Sequence, residues 1–170
     1  MEGIREMVER CDCCLVDLDQ CIYPRFTQTT LGMMLLARSL RGEPRYLGRL
    51  LKGGVYIFAV RFGRIFGRHP RNVDLMAAFC RVITGLSFSR VEEYARRLPR
   101  LGPQAWRPAL VKIAVHMPVY LVTFSIEPIA RAYGTVRDSS GRRIFSGWRG
   151  TPLEREETGA ISGCLFSNES

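Results

Sequence analysis

The sequence predicts an α/β protein whose parallel sheet is built from both ends of the chain, with a helical block inserted between its first two strands. Three observations carry this reading. Two compact apolar runs, Cys13-Cys14-Leu15-Val16 and Pro118-Val119-Tyr120-Leu121-Val122-Thr123, bracket a long stretch of helical periodicity. Neither run alternates, as expected of parallel strands buried on both faces. Strands separated by helix join through crossovers and lie parallel. The expected division is a core of residues 1–26 and 105–170 with a helical cap over 27–104.

Taken in order, the first strand runs into Asp17-Leu18-Asp19 and is stopped by Pro24. A helix is expected over 27–41, with Thr30 as N-cap and Leu31, Met34 and Leu35 at helical spacing. Gly42-Glu43-Pro44 breaks it, and a basic, aromatic helical stretch follows from Tyr46 to about Phe66. A third helix starts at Asn72 or Asp74 and ends near Ile83. A fourth begins at Ser87 or Ser89, where Ser89-Arg90-Val91-Glu92 has a capping-box pattern, and Pro99 ends it. Trp106 to His116 reads as helix with Pro108 in its first turn. After the second strand, a helix is expected over 125–134 with Gly134 as its C-terminal cap. Short strands are expected at 143–145 and 160–162.

With 170 residues, 46% of them apolar and 24% charged, the chain can bury an ordinary core. No apolar run approaches the roughly 18–20 residues of a membrane span. The opening Met1-Glu2-Gly3-Ile4-Arg5-Glu6 is too polar and acidic for a signal peptide, so a soluble, cytoplasmic protein is expected. The six cysteines lack zinc spacing, and without a secretory signal they read as small apolar thiols rather than a disulfide framework. The net charge of +9 is almost all arginine; Lys52 and Lys112 are the only lysines. Such a balance suits nucleic acid, an anionic membrane surface or a phosphorylated small molecule. Nucleic acid is not expected, because no helix-turn-helix, finger or stacking-platform motif is present.

Ligands of open α/β sheets bind beyond the carboxyl ends of the strands. Asp17, Asp19, Thr123 and Ser125 all fall there. Neighbouring acids at a strand mouth repel each other, and a cation would relieve that repulsion.

An apolar strand followed by Asp17-Leu18-Asp19, with a second strand ending in Thr123, resembles the haloacid dehalogenase (HAD) superfamily. The segment Leu121-Val122-Thr123-Phe124-Ser125-Ile126-Glu127-Pro128 is similar to its phosphoserine-phosphatase-like branch. The helical block lies where that branch carries a cap. Gly150-Thr151-Pro152-Leu153-Glu154 with Thr158-Gly159-Ala160-Ile161-Ser162-Gly163 resembles its hairpin.

The resemblance implies a HAD-like Rossmannoid sheet, incomplete at the C-terminus, and a phosphatase acting on a small phosphate monoester. Asp17 would be the nucleophile, forming an aspartyl-phosphate, and Asp19 the acid and base. Mg²⁺ would be held by Asp17 and Asp19. Thr123, with backbone groups at Phe124 and Ser125, would hold a phosphoryl oxygen. The chain departs from the pattern at Gln20-Cys21-Ile22, where the family has Gly-Thr-Leu. The family's third motif, a Lys or Arg, and its fourth, an acidic pair, are missing before Ser170. An impaired enzyme is therefore expected, with the gene either truncated or split, or a separate polypeptide completing the core.

The alternative is a non-catalytic remnant or binding subunit on the same scaffold. The basic stretch 45–71 admits three readings: a solvated cap helix, a surface for an anionic substrate, or an interfacial helix on anionic lipid.

Overall fold

The computed structural model describes residues 12–24, 26–42, 47–48, 51, 54–55, 72–102 and 104–164. The basic stretch 45–71 and its three readings fall almost wholly outside them. Strand β1 (Cys14–Val16) is followed by the helices α1 (Thr27–Gly42), α2 (Asn72–Ile83), α3 (Phe88–Ala95), α4 (Leu98–Leu101) and α5 (Trp106–His116). Then come β2 (Val119–Ile126), α6 (Glu127–Gly134), β3 (Gly147–Thr151) and the hairpin β4 (Leu153–Arg155) and β5 (Ile161–Cys164).

The sheet is parallel, in the order β1-β2-β3. Val16 pairs with Leu121, and Leu121 with Trp148. The expected two-sided burial of these strands is corrected. Val119 and Leu121 are fully buried, whereas Leu15 (68%), Tyr120 (39%), Val122 (46%) and Phe124 (66%) are exposed. The apolar run alternates in burial even though it does not alternate in hydropathy. One side packs on helices and the other meets solvent.

The buried side meets α6, which contributes Ile129, Ala130 and Tyr133. Trp106 of α5 stacks at a tilt on Tyr133 and Phe145, and Tyr23 meets Tyr133 edge-on at 6.4 Å. Close approach of α6 to β3 requires glycine at two places. A Cβ at Gly134 would overlap the Trp148 indole, and one at Gly150 would lie 2.6 Å from Ala130 Cβ. Leu31, Leu35, Phe79, Ile83, Val91 and Leu98 from the helical block join the same apolar cluster. The 84–88 turn is laced to the hairpin by Gly85 N–H to Ile161 O (2.7 Å), Ile161 N–H to Leu86 O (2.9 Å) and Phe88 N–H to Gly159 O (3.0 Å).

Several local expectations change. Strand β1 stops at Val16, because Leu18 O turns inward to accept the N–H groups of Ile22 (3.1 Å) and Tyr23 (2.9 Å). Thr30 lies inside α1, not at its cap, and shares a hydrogen bond with Tyr23 Oη (3.1 Å). The capping box of α3 does not form; Ser89 bonds to Ser87 instead (2.7 Å). Pro99 does not end a helix but occupies the first turn of α4, where its missing N–H is harmless. Strand β2 continues three residues past Thr123, so α6 starts at Glu127, and Gly134 is its last residue rather than its cap.

The strand expected at 143–145 is a loop that buries Ile144 and Phe145 without a ladder, and the third parallel strand is 147–151. The resemblance-based hairpin forms as β4 and β5, antiparallel with Glu154 opposite Gly163. Cys80 is disulfide-bonded, against the expectation of reduced thiols throughout, while Cys13 and Cys21 are free. No helix among the described residues is long and apolar enough to cross a membrane.

Candidate active site at the mouths of β1 and β2

The chain leaves β1 through Asp17 and drops Leu18 into the core, where it is fully buried. This anchor swings Asp19 toward β2. Gln20 then adopts φ 69°, the left-handed conformation that favours glycine, and its N–H reaches Tyr23 O (2.6 Å). The position that departs from the family's glycine is thus the one whose backbone calls for it.

Asp19 is half-buried and both its oxygens are engaged. Oδ1 accepts the N–H of Thr27 (2.7 Å), the first residue of α1, so Asp19 supplies the N-terminal cap expected of Thr30. Oδ2 accepts the hydroxyl of Ser125 (2.7 Å). The Thr27 and Ser125 hydroxyls lie 2.8 Å apart. Ser125 has already given its single proton to Asp19, so Thr27 must be the donor in that contact. Thr27 and Ser125 are both fully buried, and satisfaction within this network is what permits their burial.

Thr123 is half-buried beside them. Its Oγ1 accepts the Ser125 N–H (3.1 Å), which leaves its own O–H for another acceptor. The Ser125 N–H, expected to face a phosphoryl oxygen, is therefore spent inside the protein. Phe124 points outward, and its carbonyl accepts the Thr151 hydroxyl (2.8 Å).

Asp17 stands apart. It is exposed, and Leu18 N–H donates to its Oδ1 (2.7 Å). It continues the outward side of β1, after Leu15, whereas Thr123 and Ser125 belong to the inward side of β2. The structure therefore brings Asp19, Thr123 and Ser125 together with Thr27, a residue that sequence reasoning took only as the start of a helical stretch. It does not join Asp17 to them by a hydrogen bond. Among the described residues neither acid has a salt-bridge partner, and no group of three or more His, Cys, Asp or Glu converges on one point.

Below the network lies Tyr133. Its phenol is pushed well above the ordinary value of 10.0, first by burial, then by Tyr23 and Asp19 nearby. Its Oη has no hydrogen-bond partner among the described residues. On the far side of α6, Arg131 pairs with Glu92 of α3 (3.0 Å) and with Glu127 (2.5 Å), pinning the helical block to the core.

No protein-family model and no curated protein sequence matches this chain. Among solved structures, a HAD family hydrolase from Salmonella enterica subsp. enterica serovar Typhi superposes with a TM-score of 0.57 at 8% identity. The match covers 98% of this chain and 54% of that one, so the chain spans about half the length of the structure it resembles. The fold is accordingly the HAD-like Rossmannoid α/β fold. The likeness shows the fold alone and does not distinguish a branch.

Proposed function

We propose that this chain carries the nucleophile side of a HAD-type phosphohydrolase and acts, slowly, on small phosphate monoesters. The observation that supports it best is the network at the strand mouths. A carboxylate, Asp19, is held rigidly by Ser125 and Thr27 two residues after a second, exposed carboxylate, Asp17, with a Thr123 hydroxyl proton left to donate.

In this reading Asp17 attacks phosphorus and the ester oxygen leaves. Asp19 gives that oxygen a proton and then takes one from the water that cleaves the aspartyl-phosphate. Thr123 O–H steadies a phosphoryl oxygen. The Asp17 carboxylate and the Asp19 backbone carbonyl fit Mg²⁺ as two hard ligands, since this ion commonly takes one or two carboxylates and completes its shell with water and phosphate. Bound there, it would offset the charge of nucleophile and substrate.

Slow turnover follows from electrostatics. No cation among the described residues faces Asp17. Missing preorganised charge of this kind typically costs on the order of 10²-fold or more in rate.

The test is phosphate release from p-nitrophenyl phosphate with and without Mg²⁺. Slow, Mg²⁺-dependent release that vanishes in Asp17→Asn supports the reading, whereas release unchanged by that substitution refutes it. That no hydrogen bond among the described residues joins Asp17 to Thr123 favours a second reading, a phosphate-binding subunit without turnover. Binding of inorganic phosphate by calorimetry, with no release above the Asp17→Asn background, would select it.

A further inference from the structure

A parallel sheet normally has both faces covered, because its strands are apolar on both sides. Here no element among the described residues packs over the outward face. Leu15 of β1 and Tyr120, Val122 and Phe124 of β2 stand side by side on it, from 39% to 68% exposed. Gly147 and Arg149 of β3 continue the face.

The register arranges these residues in rows across the sheet. One row is Leu15, Tyr120, Gly147. The next, one position beyond the last registered pair of β1, is Asp17, Val122, Arg149. In the first row the Tyr120 ring covers Gly147, lying 3.0–3.2 Å from where a Cβ there would sit; the second row has unlike ends, an acid against a base. Arg149 has no ion-pair or hydrogen-bond partner among the described residues, and Asp17 has only the Leu18 N–H.

We propose that this face is a contact surface for a second copy of the same chain, related by a two-fold axis running along the strands. That operation lays β2 on β2 and β1 on β3 at the same level. Leu15 of each copy then meets the Tyr120 ring that covers Gly147 of the other, and Asp17 of each meets Arg149 of the other. The interface is isologous, and the charged row is complementary to its own image. Two sheets packed this way keep their strands aligned to within about 30°, with side chains filling the roughly 10 Å between them.

The four exposed apolar side chains amount to roughly 350–400 Å² per copy, in the range of the largest patch on a typical monomer. That is about half of the ~800 Å² per partner in a standard interface. The contact is therefore small, and four charges in two pairs specify its geometry. Because Asp17 also figures in the proposed reaction, the test reads mass alone, so the failure of either proposal leaves the other standing.

Sedimentation equilibrium of the full chain, at ~0.15 M salt to screen the net positive charge, measures the monomer–dimer constant. Phe124→Glu and Leu15→Glu, both at exposed positions, should each weaken it more than tenfold while circular dichroism stays unchanged. Asp17→Arg and Arg149→Asp should each weaken it by about tenfold or more, and the double variant should recover most of the loss. A chain that stays monomeric at every concentration overturns the proposal. So does a dimer indifferent to Phe124→Glu and Leu15→Glu, or one in which the double charge reversal is no better than the singles.

Discussion

The Asp19–Ser125 contact joins residues 106 positions apart and ties β1, α1 and β2 into one unit, so its strength is measurable as a coupling energy. Ser125→Ala removes a buried hydroxyl that donates to a carboxylate at 2.7 Å. Hydrogen bonds to charged groups contribute about 1.5–3 kcal/mol. For a domain of this size that lowers Tm by roughly 3–12 °C. Asp19→Ala loses the same bond and also the cap on Thr27 N–H (2.7 Å), which adds about 1 kcal/mol. The double variant loses the shared bond only once. Its destabilisation should therefore fall short of the sum of the singles by about 1.5–3 kcal/mol. Urea unfolding followed by circular dichroism, on all four corners of the cycle, gives the number. Additivity to within ~0.5 kcal/mol would refute the network as drawn and leave the two residues as independent core positions.

Two further predictions follow from the same region. Gln20→Gly should raise stability by about 0.5–1 kcal/mol, since relief of the left-handed φ of 69° exceeds the added freedom of the unfolded chain; a lower urea midpoint would contradict this. Tyr133 has its phenol raised by burial above the ordinary 10.0, so the unfolded chain loses that proton first. Its contribution is fully present below pH ~10 and is lost as pH rises beyond it. Thermal melts from pH 8 to 11 should show a decline that Tyr133→Phe flattens, and equal declines in both proteins would rule out Tyr133 as the cause.

Much of the helical architecture was legible locally. Periodicity and punctuation located α1, α2 and α5 to within a residue or so, because helix formation depends on neighbours three and four positions apart. The Asp17-Leu18-Asp19 and Thr123-Phe124-Ser125 segments were also visible, since both follow apolar runs. The third strand was not. Gly147-Trp148-Arg149-Gly150-Thr151 has no strand pattern of its own and forms only because β2 and α6 offer it a ladder and a close-packed surface. Ile144 and Phe145 looked like a strand because burial alone makes a residue apolar, whatever its backbone does.

The sequence by itself determined the element types, the order of strand, helical block and strand, and the acidic ending of the first strand, all of which are encoded within a few residues of chain. Only the tertiary structure decided that Asp19 would cap α1 and hold Ser125 while Asp17 faced outward, and that Leu15, Tyr120, Val122 and Phe124 would lie bare. The physical reason is that a strand's side chains alternate between two faces whatever their chemistry. Which face is covered, and which hydroxyl meets which carboxylate, depends on register and on partners a hundred residues away along the chain.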